Sequence, residues 1–249
     1  MSEKNVVLSG FHAVGARVRM APETIDVVYV DPSRKDKRMR ELRDKLVAAG
    51  VRVMNAAQDR LDGMSPNVPH QGVVAIARER ESTMDFGELL DSINDETLLL
   101  ILDEVTDPRN FGACLRVADA AGVQAVIVTK NRSAKVTPAA AKAAAGAVET
   151  VPVVEVVNLA TAILELQDAG VTVVGTAGEA EHDIYEFDQT GAFAWVLGAE
   201  GDGLRKLTRR RCDDLASIPM LGAVSSLNVS VASGICLYES VRQRKAKAD

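Results

Sequence analysis

The chain has 249 residues, 47% of them hydrophobic and 26% charged, and a formal net charge of −6. That length can bury a full core as one large or two modest domains, and the composition is that of an ordinary soluble globular protein. No apolar run is long enough to span a bilayer and the first residues hold no apolar signal core, so a cytoplasmic protein without membrane spans is expected.

The first 77 residues predict a small α/β unit. VVYV (27–30), VRVMN (51–55) and VVAIA (73–77) read as strands, rich in β-branched residues. KDKRMRELRDKLVAAG (35–50) reads as a helix, with Met39, Leu42, Leu46 and Val47 at helical spacing and Gly50 as its stop. Charge divides along the chain: residues 1–80 hold 14 Lys/Arg against 10 Asp/Glu, residues 81–249 hold 15 against 25. This asymmetry points to a basic module joined to an acidic one. The densest basic stretch, PSRKDKRMRELRDK (32–45), is either a solvated helix face or an RNA contact. The polar, acidic residues 78–96 read as a linker.

Residues 97–249 alternate strand and helix more clearly. LLLIL (98–102), AVIV (125–128), VPVVEV (151–156), VTVVG (171–175), AFAWVL (192–197) and LASIP (215–219) are the predicted strands. Helices are predicted near 110–121, 138–147, 158–169 and 226–244. Near-continuous apolar strands between helices imply an α/β fold with a parallel sheet covered on both faces. Ligands of such sheets sit beyond the carboxyl ends of the strands. Cys114, Cys212 and Cys236 are far apart and mostly in apolar settings, as reduced core thiols are. His12, His70 and His182 are isolated, and no metal site is expected.

Three stretches fall at carboxyl ends of strands. LGAEGDGL (197–204) carries Gly198, Gly201 and Gly203 in the spacing G-x-x-G-x-G, unlike the G-x-G-x-x-G of a dinucleotide site. Glu200 and Asp202 would repel a phosphate, so the loop suits a ligand held without one. DPRNFGACLR (107–116) opens a helix, with Pro108 breaking the strand, Asn110 able to cap and Gly112 permitting a close approach. IPMLGAVSSLNVS (218–230) leads into the closing helix through small polar residues.

Taken together and in this order, N-x-G-x-x-x-R (110–116), L-G-x-E-G-x-G-L (197–204) and I-P-M…S-S-L-N-V-S (218–230) resemble the three motifs of the SpoU (TrmH-like) ribose 2′-O-methyltransferases. FHAV (11–14) and PHQGVVA (69–75) are similar to the small substrate-binding domain of the bacterial 23S rRNA guanosine 2′-O-methyltransferases, so nearly the whole chain is covered. The resemblance implies a knotted parallel-sheet catalytic domain over 97–249, a substrate-binding domain over 1–77, S-adenosylmethionine as cofactor, ribosomal RNA as substrate and a homodimer. It carries cofactor contact to Gly198, Ile218 and Leu227, with Met220 and Gly201 beside them. It carries catalysis to Arg116, either as base or as the cation that binds the adjoining phosphate and stabilises the developing alkoxide; a normally protonated guanidinium makes the first role demanding. Asn110, Asn228 and Ser226 are placed to hold a ribose or orient the arginine, and Glu200 to pair with an arginine or shape its loop. RKLTRRR (205–211) either touches RNA phosphate or forms a solvated helix face. The same chemistry on tRNA and a non-catalytic RNA-binding protein are the alternatives. In KAAAGA (142–147) alanine stands where relatives carry serine, which bears on pocket polarity.

Overall fold

The computed structural model describes residues 5–66, 68–78, 84–199 and 201–248. The chain divides into two compact units, Met1–Ser82 with Ala145–Thr150, and Thr83–Ala144 with Val151–Asp249.

In the first unit, β1 (Asn5–Ser9), α1 (Gly10–Met20), β2 (Ile25–Val30), α2 (Lys37–Ala48), β3 (Val53–Asn55), α3 (Gln58–Met64) and β4 (Val73–Arg78) follow one another. The sheet order is β1-β4-β2-β3, with β2 and β3 parallel and the other pairs antiparallel. Helix α2 starts where Asp36 caps it, the carboxylate accepting the Met39 N–H at 3.2 Å, and Met39, Leu42 and Leu46 form its buried face. Val47, expected on that face, is 73% exposed, because it lies about 100° around the helix from Leu46. The Arg17 Nε donates to Glu149 at 2.5 Å inside this unit, tying residues 145–150 to α1, and Arg17 also donates to the Arg78 carbonyl at 2.8 Å.

The second unit contains α4 (Phe86–Asp91), β5 (Leu98–Asp103), α5 (Pro108–Ala121), β6 (Ala125–Thr129), α6 (Pro138–Ala144), β7 (Val153–Val156), α7 (Leu159–Asp168), β8 (Thr172–Thr176), β9 (His182–Asp183), β10 (Phe193–Gly198), α8 (Lys206–Arg211), β11 (Asp214–Ser217) and α9 (Val229–Ala248). Its sheet runs β7-β6-β5-β10-β8-β11-β9, and every pairing is parallel. The central predicted strands, β5, β6 and β10, are buried on both faces, as such a sheet requires, whereas β11 toward the edge is only partly buried. Trp195 is fully buried in β10 and donates its indole N–H to Ser240 Oγ at 3.0 Å.

The stretch 78–96 is not all linker. Asp85 and Glu88 form a capping box that starts α4, and this helix buries Leu89 completely in the core of the second unit. Met84, Phe86, Leu90 and Ile93 pack against the same core. The acidic composition concealed these apolar residues, which form a buried stripe only once a short helix is nucleated. Helix α6 likewise stops at Ala144, short of the expected 147, where Ala145 takes a left-handed φ of 50°.

Candidate active site

A cavity of about 720 Å³ opens beyond the carboxyl ends of β8, β10 and β11, a volume suited to a small molecule. Gly198, Gly201, Ile218, Met220 and Leu227, the five residues expected to meet a cofactor, all line it, as do Ser226 and Asn228. Thr176, the end of β8, with Ala177 to Glu179 of the turn after it, also line it and were not foreseen; Arg209 lines it too, although the sequence offered it only as an RNA contact or a solvated face. The rule that ligands sit past strand ends was the available signal for that turn, since VTVVG ends there. The alanines of 142–147 are not among the lining residues.

The glycine spacing of the loop after β10 has a geometric cause. A Cβ on Gly198 would lie 2.1 Å from the Gly203 carbonyl carbon and 2.4 Å from the Leu204 nitrogen, so the two limbs of the loop touch backbone to backbone. Gly201 and Gly203 have φ of 88° and 64°, the left-handed region that favours glycine. The Gly203 N–H closes the turn on the Ala199 carbonyl at 3.0 Å. Glu200 lies outside the described residues.

Helix α5 is capped by Asp107, whose carboxylate accepts the N–H groups of Arg109 and Asn110 at 2.8 and 2.9 Å. Asn110 therefore does not cap, and its carboxamide is used otherwise. Asn228 Oδ1 accepts the Ser230 N–H at 2.9 Å at the start of α9, which leaves its Nδ2 to donate to Asn110 Oδ1 at 2.9 Å across 118 residues of chain. Two of the expected catalytic residues are thereby joined at the cavity, one of them in its lining. Gly112 lets α6 approach α5: a Cβ there would stand 2.2 Å from the Ala140 carbonyl oxygen. Arg116, one turn on, is exposed and is not in the cavity lining. It has no hydrogen-bond or ion-pair partner among the described residues.

The charges around the cavity disfavour a phosphate. Its lining cation, Arg209, is paired with Glu179, and that hydrogen bond holds the Glu179 carboxyl below its usual range. Asp202 adds negative charge. Nearby, burial first, then Asp213 and Asp103, push the Cys212 thiol up to about 12, so it stays a neutral thiol. These features fit a ligand that is cationic and carries no phosphate, as a sulfonium with an α-amino group would be. No group of three His, Cys, Asp or Glu able to hold a metal occurs among the described residues, and no described helix is long and apolar enough to cross a membrane.

The residues of RKLTRRR divide in two. Arg205 turns inward to Asp103 and Glu104, Arg209 pairs with Glu179, and Thr208 is buried, while Lys206, Arg210 and Arg211 are exposed.

The first unit carries a cationic cluster of its own. The guanidinium carbons of Arg34 and Arg38 lie 4.9 and 4.5 Å from the centre of the Phe11 ring. Arg38 Nη2 is 2.9 Å from His12 Nε2, and Arg34 donates to the carbonyl of Gln71, a non-glycine residue with φ of 54°. FH, R-x-x-x-R and HQG, separate in sequence, thus meet on one surface, with Lys35 and Lys37 exposed beside them.

The SpoU rRNA Methylase family model matches residues 97–238, and a model for RNA 2′-O ribose methyltransferase substrate binding matches 7–83. The chain is 54% identical over 241 residues to the 23S rRNA (guanosine-2′-O-)-methyltransferase RlmB of Ralstonia nicotianae, covering 97% of each. It is 50% identical over 240 residues to the enzyme of that name from Escherichia coli K12, covering 96% of this chain and 98% of that one. Its fold is similar to that of the SpoU methyltransferase AviRb from Streptomyces viridochromogenes in complex with AdoMet, with a TM-score of 0.76, 28% identity and coverage of 97% and 91%.

Proposed function

The chain belongs to the SpoU rRNA methylase family, and we propose that it transfers a methyl group from S-adenosylmethionine to the 2′-hydroxyl of a guanosine in 23S rRNA. The observation that carries this reading is the cavity lined by two of the motif loops, 197–204 and 218–230, with Asn110 of the third bonded to Asn228 of its lining, in a chain half identical to such enzymes over nearly its full length.

When bound, S-adenosylmethionine supplies an activated methyl group, so the protein's task is to position the ribose hydroxyl and manage its proton. Gly198, Gly201, Ile218, Met220 and Leu227 hold the cofactor, largely through backbone and apolar contact. Asn110 retains its amide N–H groups, which have no partner among the described residues, to hold a ribose oxygen; Ser226 offers a hydroxyl beside it. Arg116 meets the RNA rather than the cofactor, because it stands exposed outside the cavity lining. Its fixed positive charge binds the adjoining phosphate and stabilises the developing alkoxide.

The first unit recruits the RNA. Arg34, Arg38, Lys35 and Lys37 supply phosphate contacts in addition to that of Arg116, from the part of the chain whose charge balance is basic. The protein acts as a homodimer: Val231 and Tyr238, seven residues apart on α9, are each 51% exposed, and Leu221 and Val224 nearby are 99% and 64% exposed. Exposed apolar side chains of this kind are what a second copy covers. The site of action is the cytoplasm, where 23S rRNA is made.

Mapping 2′-O-methyl groups in rRNA and tRNA from cells with and without the protein tests the reading directly. One guanosine of 23S rRNA should lose its methyl group; loss from tRNA alone overturns the substrate. Arg116→Ala should lower turnover on the order of 100-fold or more at saturating RNA, with cofactor affinity nearly unchanged. Near wild-type turnover in that variant removes Arg116 from the mechanism.

A further inference from the structure

We infer that Asp103 is the staple that closes the cofactor loop, and is therefore a positioning residue for the methyl donor. The inference rests on the cofactor reading above and concerns a carboxylate to which that reading gives no role.

Asp103 is the last residue of β5 and is fully buried. It pairs in register with Gly198, the residue from which the cofactor loop departs. The loop returns at Arg205, and there both carboxylate oxygens are engaged. The Arg205 backbone N–H donates to Oδ2 at 3.0 Å and its Nε donates to Oδ1 at 2.6 Å. One side chain thus stands beside the exit of the loop and bonds its re-entry.

The surroundings are built to keep this arrangement. Arg205 Nη1 lies 3.2 Å from Glu104 Oε1, and Arg132 Nη1 donates to the same oxygen at 3.1 Å. Glu104 has φ of 59°, a conformation that costs a non-glycine residue energy and persists where neighbours over-determine it. Between the two ends, Gly203 closes on Ala199, and Gly198 sits against the Gly203 backbone. Gly198, Gly201, Gly203 and Leu204 all line the cavity, so any change in the distance between loop ends moves its wall.

A buried ion pair is poor evidence of stability, since desolvation offsets much of its attraction. Its two charge-assisted bonds to one residue do fix direction as well as distance. The geometry therefore favours a role in shaping the loop over one in adding stability to the core. Arg205, which the sequence left open as an RNA contact, is turned inward to serve it.

The test uses the full-length chain. Asp103→Asn keeps the shape but removes the charge and sets an amide N–H2 against the arginine. S-adenosylhomocysteine binding by calorimetry should weaken about tenfold or more, with a matching rise in the cofactor KM. The kcat at saturating cofactor should stay within about threefold, and RNA affinity should not change. In the protein without cofactor, hydrogen exchange at the Gly203 amide should accelerate while the β5–β10 ladder stays protected. Arg205→Lys keeps the charge and the backbone bond but loses Nε; it should show a smaller loss of the same kind, and it decides the matter should Asp103→Asn not fold. Wild-type cofactor affinity and Gly203 exchange in a folded variant overturn the staple, as does a fall in kcat at unchanged KM. Failure of the unsubstituted protein to bind S-adenosylhomocysteine overturns the cofactor reading instead, and the Gly203 exchange still reads the staple by itself.

Discussion

The cavity of the second unit and the cationic surface of the first are built from different parts of the chain. One wall of the cavity, the loop after β10, is close-packed backbone, brought together at Gly198 and turned by Gly201 and Gly203. The surface is side chain: two guanidinium groups on the Phe11 ring, with His12 and Gln71 beside them. Where two backbone limbs touch, as at Gly198, no added atom fits, whereas a cluster of long side chains loses its parts one at a time. The first suits a ligand of fixed shape, and the second suits an RNA backbone read through charge.

The largest effect expected from this contrast is at Gly198. Gly198→Ala puts a Cβ about 2 Å from the Gly203 backbone, which cannot move aside as a side-chain tip can. Overpacking of this kind costs about 1–3 kcal/mol or more, and here it falls on the cavity wall. Cofactor binding by calorimetry should be lost. Gly201→Ala meets nothing within 4 Å and should cost only the left-handed backbone, about 1–2 kcal/mol. Equal behaviour of the two variants would refute a backbone-built wall.

A graded effect is expected on the first unit. Replacing Arg34 and Arg38 together by Gln should weaken rRNA binding and reduce the slope of log affinity against log salt by about 1 to 2. Each single replacement should give a part of that change, while S-adenosylhomocysteine affinity stays at the wild-type value. An unchanged salt slope in the double variant would remove this surface from RNA binding.

The smallest effect reads the interior of the second unit alone, which holds all three cysteines. Burial pushes the thiols of Cys212 and Cys236 up to about 12 from an ordinary 9.0. A raised folded value means that the stability they contribute is complete below about pH 9 and is lost as pH climbs toward 12. Iodoacetamide at pH 8 should therefore label the folded protein far more slowly than the urea-unfolded chain. Urea midpoints should fall above pH 9 by more than in Cys236→Ala. Fast labelling of folded protein at pH 8 would show an interior open to water.

How much of this was legible in the sequence depends on how local each feature is. The G-x-x-G-x-G spacing pointed to the loop and against a phosphate because left-handed turns and close backbone approach are demands on single residues. The resemblance in three motifs named five residues that the structure places in the cavity lining. Asn110 was legible as a helix-start residue able to cap and as an amide of the site; Asp107, three residues earlier, takes the cap and leaves the Asn110 carboxamide to accept from Asn228. Leu89 was hidden in an acidic stretch, and its burial depends on a core that lies elsewhere in the chain.

By itself the sequence determined the alternation of apolar strands with helices, and with it a parallel sheet whose cavity opens past the strand ends. It also determined which loops could bend tightly enough to form that site. Only the tertiary structure decided that β10 lies between β5 and β8, which sets Gly198 beside Asp103 and lets a carboxylate 102 residues away hold Arg205. It likewise brought Phe11, Arg38 and Gln71 onto one surface and paired Glu179 with Arg209 at the cavity. Such meetings depend on which strands pair and in what register, and pairing is won by the packing of the whole core, of which no short stretch of chain carries a record.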